Sequence, residues 1–129
     1  MNDPFKLEII SPEKTFLTDN PKSVTVPAFE GDMTILTNHM PLITFLRPGI
    51  IKVLGNSETE FFVEEGVVEF SNNSMTILSS TILDVKKLSQ DKITKMIEDC
   101  KNQLEKGSLK DKESYMVFHK MDTLSRINL

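Results

Sequence analysis

Short apolar runs separated by turn residues occupy the first two thirds of the chain. Turn-forming clusters such as Ser11-Pro12 and Gly55-Asn56-Ser57 divide this part into segments too short for helices. Nine of the segments are predicted to be strands, at residues 5–10, 15–17, 23–26, 33–36, 43–46, 50–54, 60–63, 67–70 and 75–78. Many short strands at regular spacing are typical of a sandwich or a barrel. We therefore predict that residues 1–86 form an all-β sandwich domain.

The hydrophobic period changes after Leu83, from the spacing of strands to that of helices. Apolar residues recur on one helix face at 93, 96, 97, 100 and 104, between a candidate N-cap at Ser89 and a glycine stop at Gly107. The pattern repeats from Asp111 to about Ile127, which predicts an antiparallel α-helical hairpin over residues 87–129. Helices this short are marginal alone, because each buries only one stripe. The hairpin must therefore dock on the β domain or on another subunit.

Three turn signals lie close together in residues 27–49, PAFEGDMTILTNHMPLITFLRPG. They are Glu30-Gly31-Asp32, Asn38-His39-Met40-Pro41 and Arg47-Pro48-Gly49. Glycine permits positive φ, whereas proline fixes φ and favours an extended residue before it. This stretch is therefore predicted to be a tight β-meander rather than a catalytic loop.

The same stretch resembles a segment of the epsilon subunit of bacterial rotary ATP synthases, P-x-x-E-G-D/E-x-x-(I/V)-L-x-x-H-x-P-L-(I/L)-x-x-L-x-P-G. Four further segments resemble that family in the expected order: LEIISPEKTF at 7–16, GIIKV at 49–53, FVEEGVVEF at 62–70 and MTIL at 75–78. The first is similar to the family's opening strand and turn, and the last to its closing strand. Five matches in order over about 75 residues are more specific than any one of them alone.

The resemblance implies a non-catalytic subunit in the central stalk of a proton-translocating ATP synthase. In that family the β domain couples the gamma subunit, which is the rotor shaft, to the c-ring. The turn Glu30-Gly31-Asp32 is then expected to contact the polar loops of the c-ring, and His39-Met40-Pro41-Leu42 to contact the gamma subunit. The hairpin is a candidate brake that inserts between the catalytic alpha and beta subunits. The expected location is peripheral, on the cytoplasmic face of the bacterial inner membrane.

The residues themselves leave other interpretations open. Glu30 and Asp32 also suit an ordinary solvated loop, and His39 suits a turn in which its side chain bonds to local backbone. An alternative function is a soluble β-sandwich interaction module unrelated to ATP synthase. A small enzyme is a third alternative, but no P-loop, G-x-G-x-x-G motif or nucleophile elbow is present. Inhibition by the hairpin also stays open, because its helices contain no alanine and only one arginine.

Some members of the family bind ATP through an (L/I)-D-x-x-R-A motif that opens the helical part. Residues 83–88, LDVKKL, have the acid but lack the arginine and the alanine. The ungapped register falls instead on residues 88–93, LSQDKI, which lack the motif aspartate. We therefore assign no nucleotide-binding residues and expect no cofactor.

Cys100 is the only cysteine, which excludes an intrachain disulfide, and His39 and His119 are too far apart in sequence to predict a metal site.

The net charge of −4 argues against a nucleic-acid partner. The charge is uneven, since residues 1–86 carry a net −6 and residues 87–129 a net +2. The lysine excess of the second part favours an acidic receiving surface on the catalytic subunits, although lysine also decorates any solvated helix. No apolar run approaches the roughly 20 residues that span a bilayer, and the start MNDPFKLE shows no signal peptide. Direct membrane insertion is therefore not expected, and any membrane association would come through a partner.

Overall fold

The computed structural model describes residues 3–107 and 109–127, which form ten strands followed by two α-helices. The strands are β1 Lys6–Ile10, β2 Thr15–Asp19, β3 Ser23–Ala28, β4 Gly31–Leu36, β5 Leu42–Leu46, β6 Gly49–Leu54, β7 Glu58–Val63, β8 Gly66–Ser71, β9 Ser74–Leu78 and β10 Leu83–Asp84. All nine predicted strands are confirmed, with ends that shift by at most two residues. Strand β10 was not predicted, because two residues carry too little pattern. Residues 1–2, 108 and 128–129 of the two predicted domains lie outside the described residues.

The ten strands form one continuous sheet that folds over into the two layers of a sandwich, and we call these layers its two sheets. They are β10-β7-β6-β3-β4 and β5-β8-β9-β1-β2, joined where Ala28 pairs with Leu46. Paired strands are antiparallel except β1 and β9, which run parallel. Alternate residues of each strand face the space between the sheets, as the period of two requires. The core there includes Leu7, Ile35, Ile51, Phe70 and Ile77, all at most 1% exposed. The predicted β-sandwich is therefore confirmed.

The prediction of a β-meander across residues 27–49 is wrong. Strands β3 and β4 do form a hairpin, with six paired positions. Strand β5, however, crosses to the other sheet, where it pairs along its whole length with β8. The segment between β4 and β5 turns the chain away, because Asn38 takes a left-handed φ of 65° and Pro41 has no amide hydrogen for a ladder.

The two helices are α1, Gln90–Glu105, and α2, Asp111–Arg126, and they confirm the predicted hairpin. The Ser89 hydroxyl caps α1 by accepting a hydrogen bond from the Lys92 amide at 3.2 Å. Gly107 follows the end of α1 with a left-handed φ of 65°, as expected of a glycine stop. A short 3₁₀ turn, Val85–Lys87, links the sandwich to the helices.

A second hydrophobic core joins the hairpin to the outer face of β6 and β7. Phe62 on β7 is fully buried in it, against a cluster that includes Ile93 and Cys100 from α1 and Leu124 from α2. The neighbouring Phe61 faces the opposite way, into the sandwich core. Burying a side chain of this size contributes about 1.5–3 kcal/mol. Phe62 is the largest fully buried side chain in the second core, so it anchors the docked hairpin.

Polar contacts between α2 and the sandwich are fewer and partly exposed. The Lys120 ammonium lies 2.7 Å from a Glu64 carboxylate oxygen. The Thr123 hydroxyl donates to the Pro48 carbonyl at 3.4 Å. Ion pairs that water reaches contribute only ~0–1 kcal/mol, so apolar burial dominates the docking of the hairpin.

A chain truncated after Lys86 should fold, because the sandwich core is complete without the helices. It should be less stable than the full chain, since truncation exposes Phe62 and Ile50 on the outer face of β7 and β6. Amide-signal dispersion by NMR and urea unfolding of both chains measure the two effects. The same truncation with Phe62→Ser controls for association through the exposed ring. Loss of dispersed amide signals in both truncated chains would show that the boundary at residue 86 is wrong.

Candidate functional site

Strand β4 separates the two turns that the resemblance assigns to partners. Glu30 and Gly31 stand at its start, whereas His39 and Met40 follow its end. A strand of six residues is about 20 Å long, so the turns lie at opposite ends of the sandwich. The structure therefore does not gather the predicted site residues into one pocket. It presents them as two separate surfaces.

The first turn is Phe29-Glu30, between β3 and β4. Gly31 follows it with a φ of 135°, and a Cβ there would meet no atom within 4 Å. The backbone conformation, and not crowding, is what requires glycine at this position. Asp32 was expected at the turn tip but lies within β4, opposite Pro27. Its side chain is 70% exposed, and a carboxylate oxygen is 4.0 Å from the Arg47 guanidinium.

Main-chain contacts fix the first turn to β5 and to the segment that follows it. The Phe29 amide donates to the Phe45 carbonyl at 3.2 Å, and the Arg47 amide donates to the Pro27 carbonyl at 3.0 Å. Gly49 packs so closely on the Pro27 ring that a Cβ at this position would collide with it. Glu30 is therefore an exposed side chain on a firmly held turn.

Helix α2 reaches the first turn through Tyr115. Its ring stacks on Phe29, with centroids 6.5 Å apart and ring planes at 15°, and its hydroxyl donates to the Phe29 carbonyl at 3.5 Å. His119 lies edge-on to the same ring at 4.3 Å. Burial lowers the pKa of His119, and the nearby Arg47 guanidinium lowers it further. We call this contact between α2 and the first turn the seam. The sequence did not predict it, because no spacing rule connects residues 86 positions apart.

The second turn consists of residues 37–41, between β4 and β5, and in it His39 forms a hydrogen bond with its own neighbour. Its Nδ1 donates to the Met40 carbonyl at 2.8 Å, and its ring meets Phe70 edge-on at 5.9 Å. The bond to local backbone, one of the two interpretations of His39, is thus confirmed, while contact with a partner stays a prediction. Met40 is 72% exposed and Pro41 is exposed, whereas Leu42 packs against the sandwich core.

An exposed apolar strip, which sequence analysis missed, continues from the second turn across the sheet. It consists of Ile43 and Phe45 on β5, Val67 on β8 and Leu78 on β9. Ile43 and Phe45 are 70% and 60% exposed, and Leu78 is 48% exposed. Phe45 pairs with Val67, which pairs with Leu78, so they share the outer face. Contiguous exposed apolar surface is a feature that protein interaction sites share. The signal was the run LITFL in β5, which is apolar at every position except Thr44, whereas a strand with one solvated face alternates.

A cleft of about 370 Å³ lies between α2 and the outer face of β3 and β6. Its charged lining comprises Arg47, Lys52, Arg126, Asp32, Glu60 and Asp122. Three acids balance three bases, so the cleft does not concentrate the positive charge that a polyphosphate binds.

Within residues 3–107 and 109–127, no group of three or more histidine, cysteine or acidic side chains is placed to hold a metal ion. No helix in this part of the chain is long and apolar enough to cross a membrane.

Comparison with known proteins gives consistent matches. Residues 4–85 match the family described as ATP synthase, Delta/Epsilon chain, beta-sandwich domain. An ATP synthase epsilon chain of Pelagibacter ubique is 41% identical over 130 residues, which is 99% of this chain and 100% of the relative. An ATP synthase epsilon chain of Rhizobium etli is 33% identical over 116 residues, 88% of this chain and 86% of the relative. The similarity therefore covers the hairpin as well as the sandwich.

Two solved structures share the fold. One is a chain in the cryo-EM structure of Euglena gracilis mitochondrial ATP synthase, OSCP/F1/c-ring in rotational state 1. It has a TM-score of 0.77 and 16% identity, over 97% of this chain and 82% of that chain. The other is a chain in the cryo-EM structure of the central stalk/c-ring of Tetrahymena thermophila mitochondrial ATP synthase. It has a TM-score of 0.65 and 19% identity, over 94% of this chain and 93% of that chain.

Replacing Gly31 with valine should lower the free energy of unfolding by about 1 kcal/mol or more, because a β-branched residue is strained at a φ of 135°. Glu30→Ala, one position away, should change it by less than about 0.5 kcal/mol, since that side chain is exposed. Urea unfolding of the two variants measures both effects. If Glu30→Ala unfolds the domain, Glu30 is a structural residue and not a contact residue.

Proposed function

This chain belongs to the family of ATP synthase epsilon chains, and from that premise we propose that it couples the gamma shaft to the c-ring of a proton-translocating ATP synthase. It is a central-stalk subunit, and its role is mechanical rather than catalytic. The observation that carries the proposal is the position of the two contact turns at opposite ends of β4. A stiff sandwich that holds one partner at each end transmits torque without a reactive group. An unrelated interaction module is not favoured.

The gamma subunit is the partner that we assign to the second turn and the apolar strip. Met40, Ile43 and Phe45 are the three most exposed large apolar side chains among the described residues. Each Å² of apolar surface that a partner covers contributes about 25 cal/mol of gross stabilisation. A partner that stays bound through every rotation suits such a surface, because permanent interfaces have apolar centres.

The c-ring is the partner that we assign to the first turn. The family resemblance implies that the c-ring meets this turn with polar loops. Glu30 and Asp32 offer exposed carboxylates there, and the neighbouring side chain of Phe29 is 37% exposed. Charge-assisted hydrogen bonds to these carboxylates would fix the register of the contact. The turn is held for load by the hydrogen bond that the Phe29 amide donates to the Phe45 carbonyl and by the one that the Arg47 amide donates to the Pro27 carbonyl.

These assignments imply a peripheral location on the cytoplasmic face of the bacterial inner membrane. A subunit that binds the c-ring is kept at the membrane surface by that partner. The bacterial relatives at 41% and 33% identity support the bacterial form of the complex.

The hairpin is the candidate regulatory element, and we assign it a brake on ATP hydrolysis. It is docked in this structure, with the stripes of both helices turned to Phe62 and its neighbours. Its release would free those stripes to pack between the catalytic alpha and beta subunits. The net +2 of residues 87–129 favours an acidic receiving surface there.

The full-length chain should capture both the gamma subunit and, through a gamma–epsilon complex, the c-ring. Ile43→Asp should weaken binding to gamma by at least about ten-fold, because it buries an unpaired carboxylate in an apolar contact. Leu54→Asp is the matched control, since Leu54 is 47% exposed on the outer face of the other sheet. Pull-down followed by titration calorimetry measures the affinities.

Capture of neither partner by the unchanged chain would contradict the proposed function. An equal loss of gamma binding in the Ile43 and Leu54 variants would contradict the assigned surface and leave the function standing.

Deleting residues 87–129 should preserve assembly and ATP synthesis and raise the rate of ATP hydrolysis, because both contact turns remain while the brake is gone. The measurement is ATPase activity of the assembled complex with each chain, at low and high salt, since salt weakens a contact between complementary charges. Loss of assembly would show that the hairpin is a structural clamp. An unchanged hydrolysis rate at every salt concentration would show that this chain has kept the fold without the brake.

A further inference from the structure

One side chain from another part of the chain clasps the second turn. Asn73, in the turn between β8 and β9, accepts a hydrogen bond at Oδ1 from the Asn38 amide at 2.6 Å. The same oxygen accepts one from the Thr37 hydroxyl at 3.4 Å. The Asn73 Nδ2 donates to the Asn38 Oδ1 at 3.0 Å. The two asparagines therefore exchange hydrogen bonds in both directions across 35 residues of sequence.

The backbone holds Asn73 in a fixed position. Its φ is 56°, in the left-handed region that asparagine enters more easily than most residues. Its carbonyl accepts a hydrogen bond from the Lys6 amide at 3.0 Å, and β9 begins at the next residue. The side-chain amide of Asn73 therefore reaches the second turn from a backbone position that is hydrogen-bonded to the start of β1.

We call the hydrogen bonds of the Asn73 side chain to Thr37 and Asn38 the clasp. The clasp lies where the second turn changes direction. Asn38 has a left-handed φ of 65°, and it directs the chain out of β4 towards His39 and Met40. Apart from the clasp, the His39 amide donates to the Leu36 carbonyl at 3.2 Å, and the His39 ring touches Phe70. We propose that Asn73 is a positioning residue that holds residues 37–42 in the conformation that binds the gamma subunit. The inference rests on the assignment of this turn to gamma under the proposed function.

The clasp acts on affinity more than on stability. Hydrogen bonds between exposed groups add little to folding, because water replaces them when they break. A released turn, however, must be ordered again when the partner binds, and that ordering opposes association. A turn that is already ordered avoids this cost.

Asn73→Gly tests the inference, since it removes the amide while glycine takes the same φ of 56° freely. Asn72→Gly is the matched control, because Asn72 has a similar φ of 52° in the same turn and takes no part in the clasp. Titration calorimetry of the full-length variants with the gamma subunit should show an affinity about ten-fold weaker for Asn73→Gly, as expected for one or two net hydrogen bonds. Asn72→Gly should bind like the unchanged chain.

Hydrogen exchange in the free chain supplies a readout that does not need a partner. Asn73→Gly should accelerate exchange of the Asn38 amide and shift the NMR signals of the His39 ring, while the midpoint of urea unfolding matches that of Asn72→Gly. Asn73→Asp keeps an oxygen acceptor for the Asn38 amide, so it should restore the protection and most of the affinity.

Unchanged affinity in Asn73→Gly, or equal losses in the two glycine variants, would overturn the positioning role. Absence of any binding between the unchanged chain and gamma would instead refute the proposed function. In that case exchange at Asn38 decides the inference: unchanged exchange in Asn73→Gly refutes the clasp, and faster exchange supports its hold on the turn.

Discussion

Strands β6 and β7 are apolar on both faces where Ile50-Ile51 pairs with Phe61-Phe62, and the docking of the hairpin depends on that constraint. Ile51 and Phe61 fill the sandwich, whereas Ile50 and Phe62, one position away, face the helices. Because side chains alternate in a strand, each apolar doublet serves two cores at once. The hairpin therefore docks on the outer face of β6 and β7, and the outer face of the other sheet stays uncovered, with its apolar strip accessible.

The positions of the two turns that we assign to partners follow from this division of the sandwich. The first turn is tied to the end of β5 and covered on one side by α2, whereas the second is tied to the β8–β9 turn, away from the helices. A load applied at one turn thus passes through β4 and the closely packed interior to reach the other. Close-packed interiors deform little, which suits a part that transmits rotation.

Local chemistry accounts for what the sequence predicted well. Strands and helices were located from periods of two and of 3.6, and Ser89 and Gly107 were recognised because capping depends on neighbouring residues only. The route of β5 was mispredicted, since pairing with β4, as in a meander, or with β8 satisfies the same alternation. The partners of Asn73 and Tyr115 lie 35 and 86 residues away, so only the folded chain reveals them. The apolar strip was hidden for a related reason: a run such as LITFL fits a strand buried on both faces as well as one whose second face is exposed.

The seam between α2 and the first turn has an optical consequence. The chain contains one tyrosine and no tryptophan, and that tyrosine, Tyr115, stacks on Phe29 and meets the edge of His119. Emission and circular dichroism above the phenylalanine bands therefore come from one ring, which lies between the first turn and α2. The protein thus carries its own spectroscopic label for the contact between its hairpin and the first turn, and a release of the hairpin would change the surroundings of that label without an attached dye.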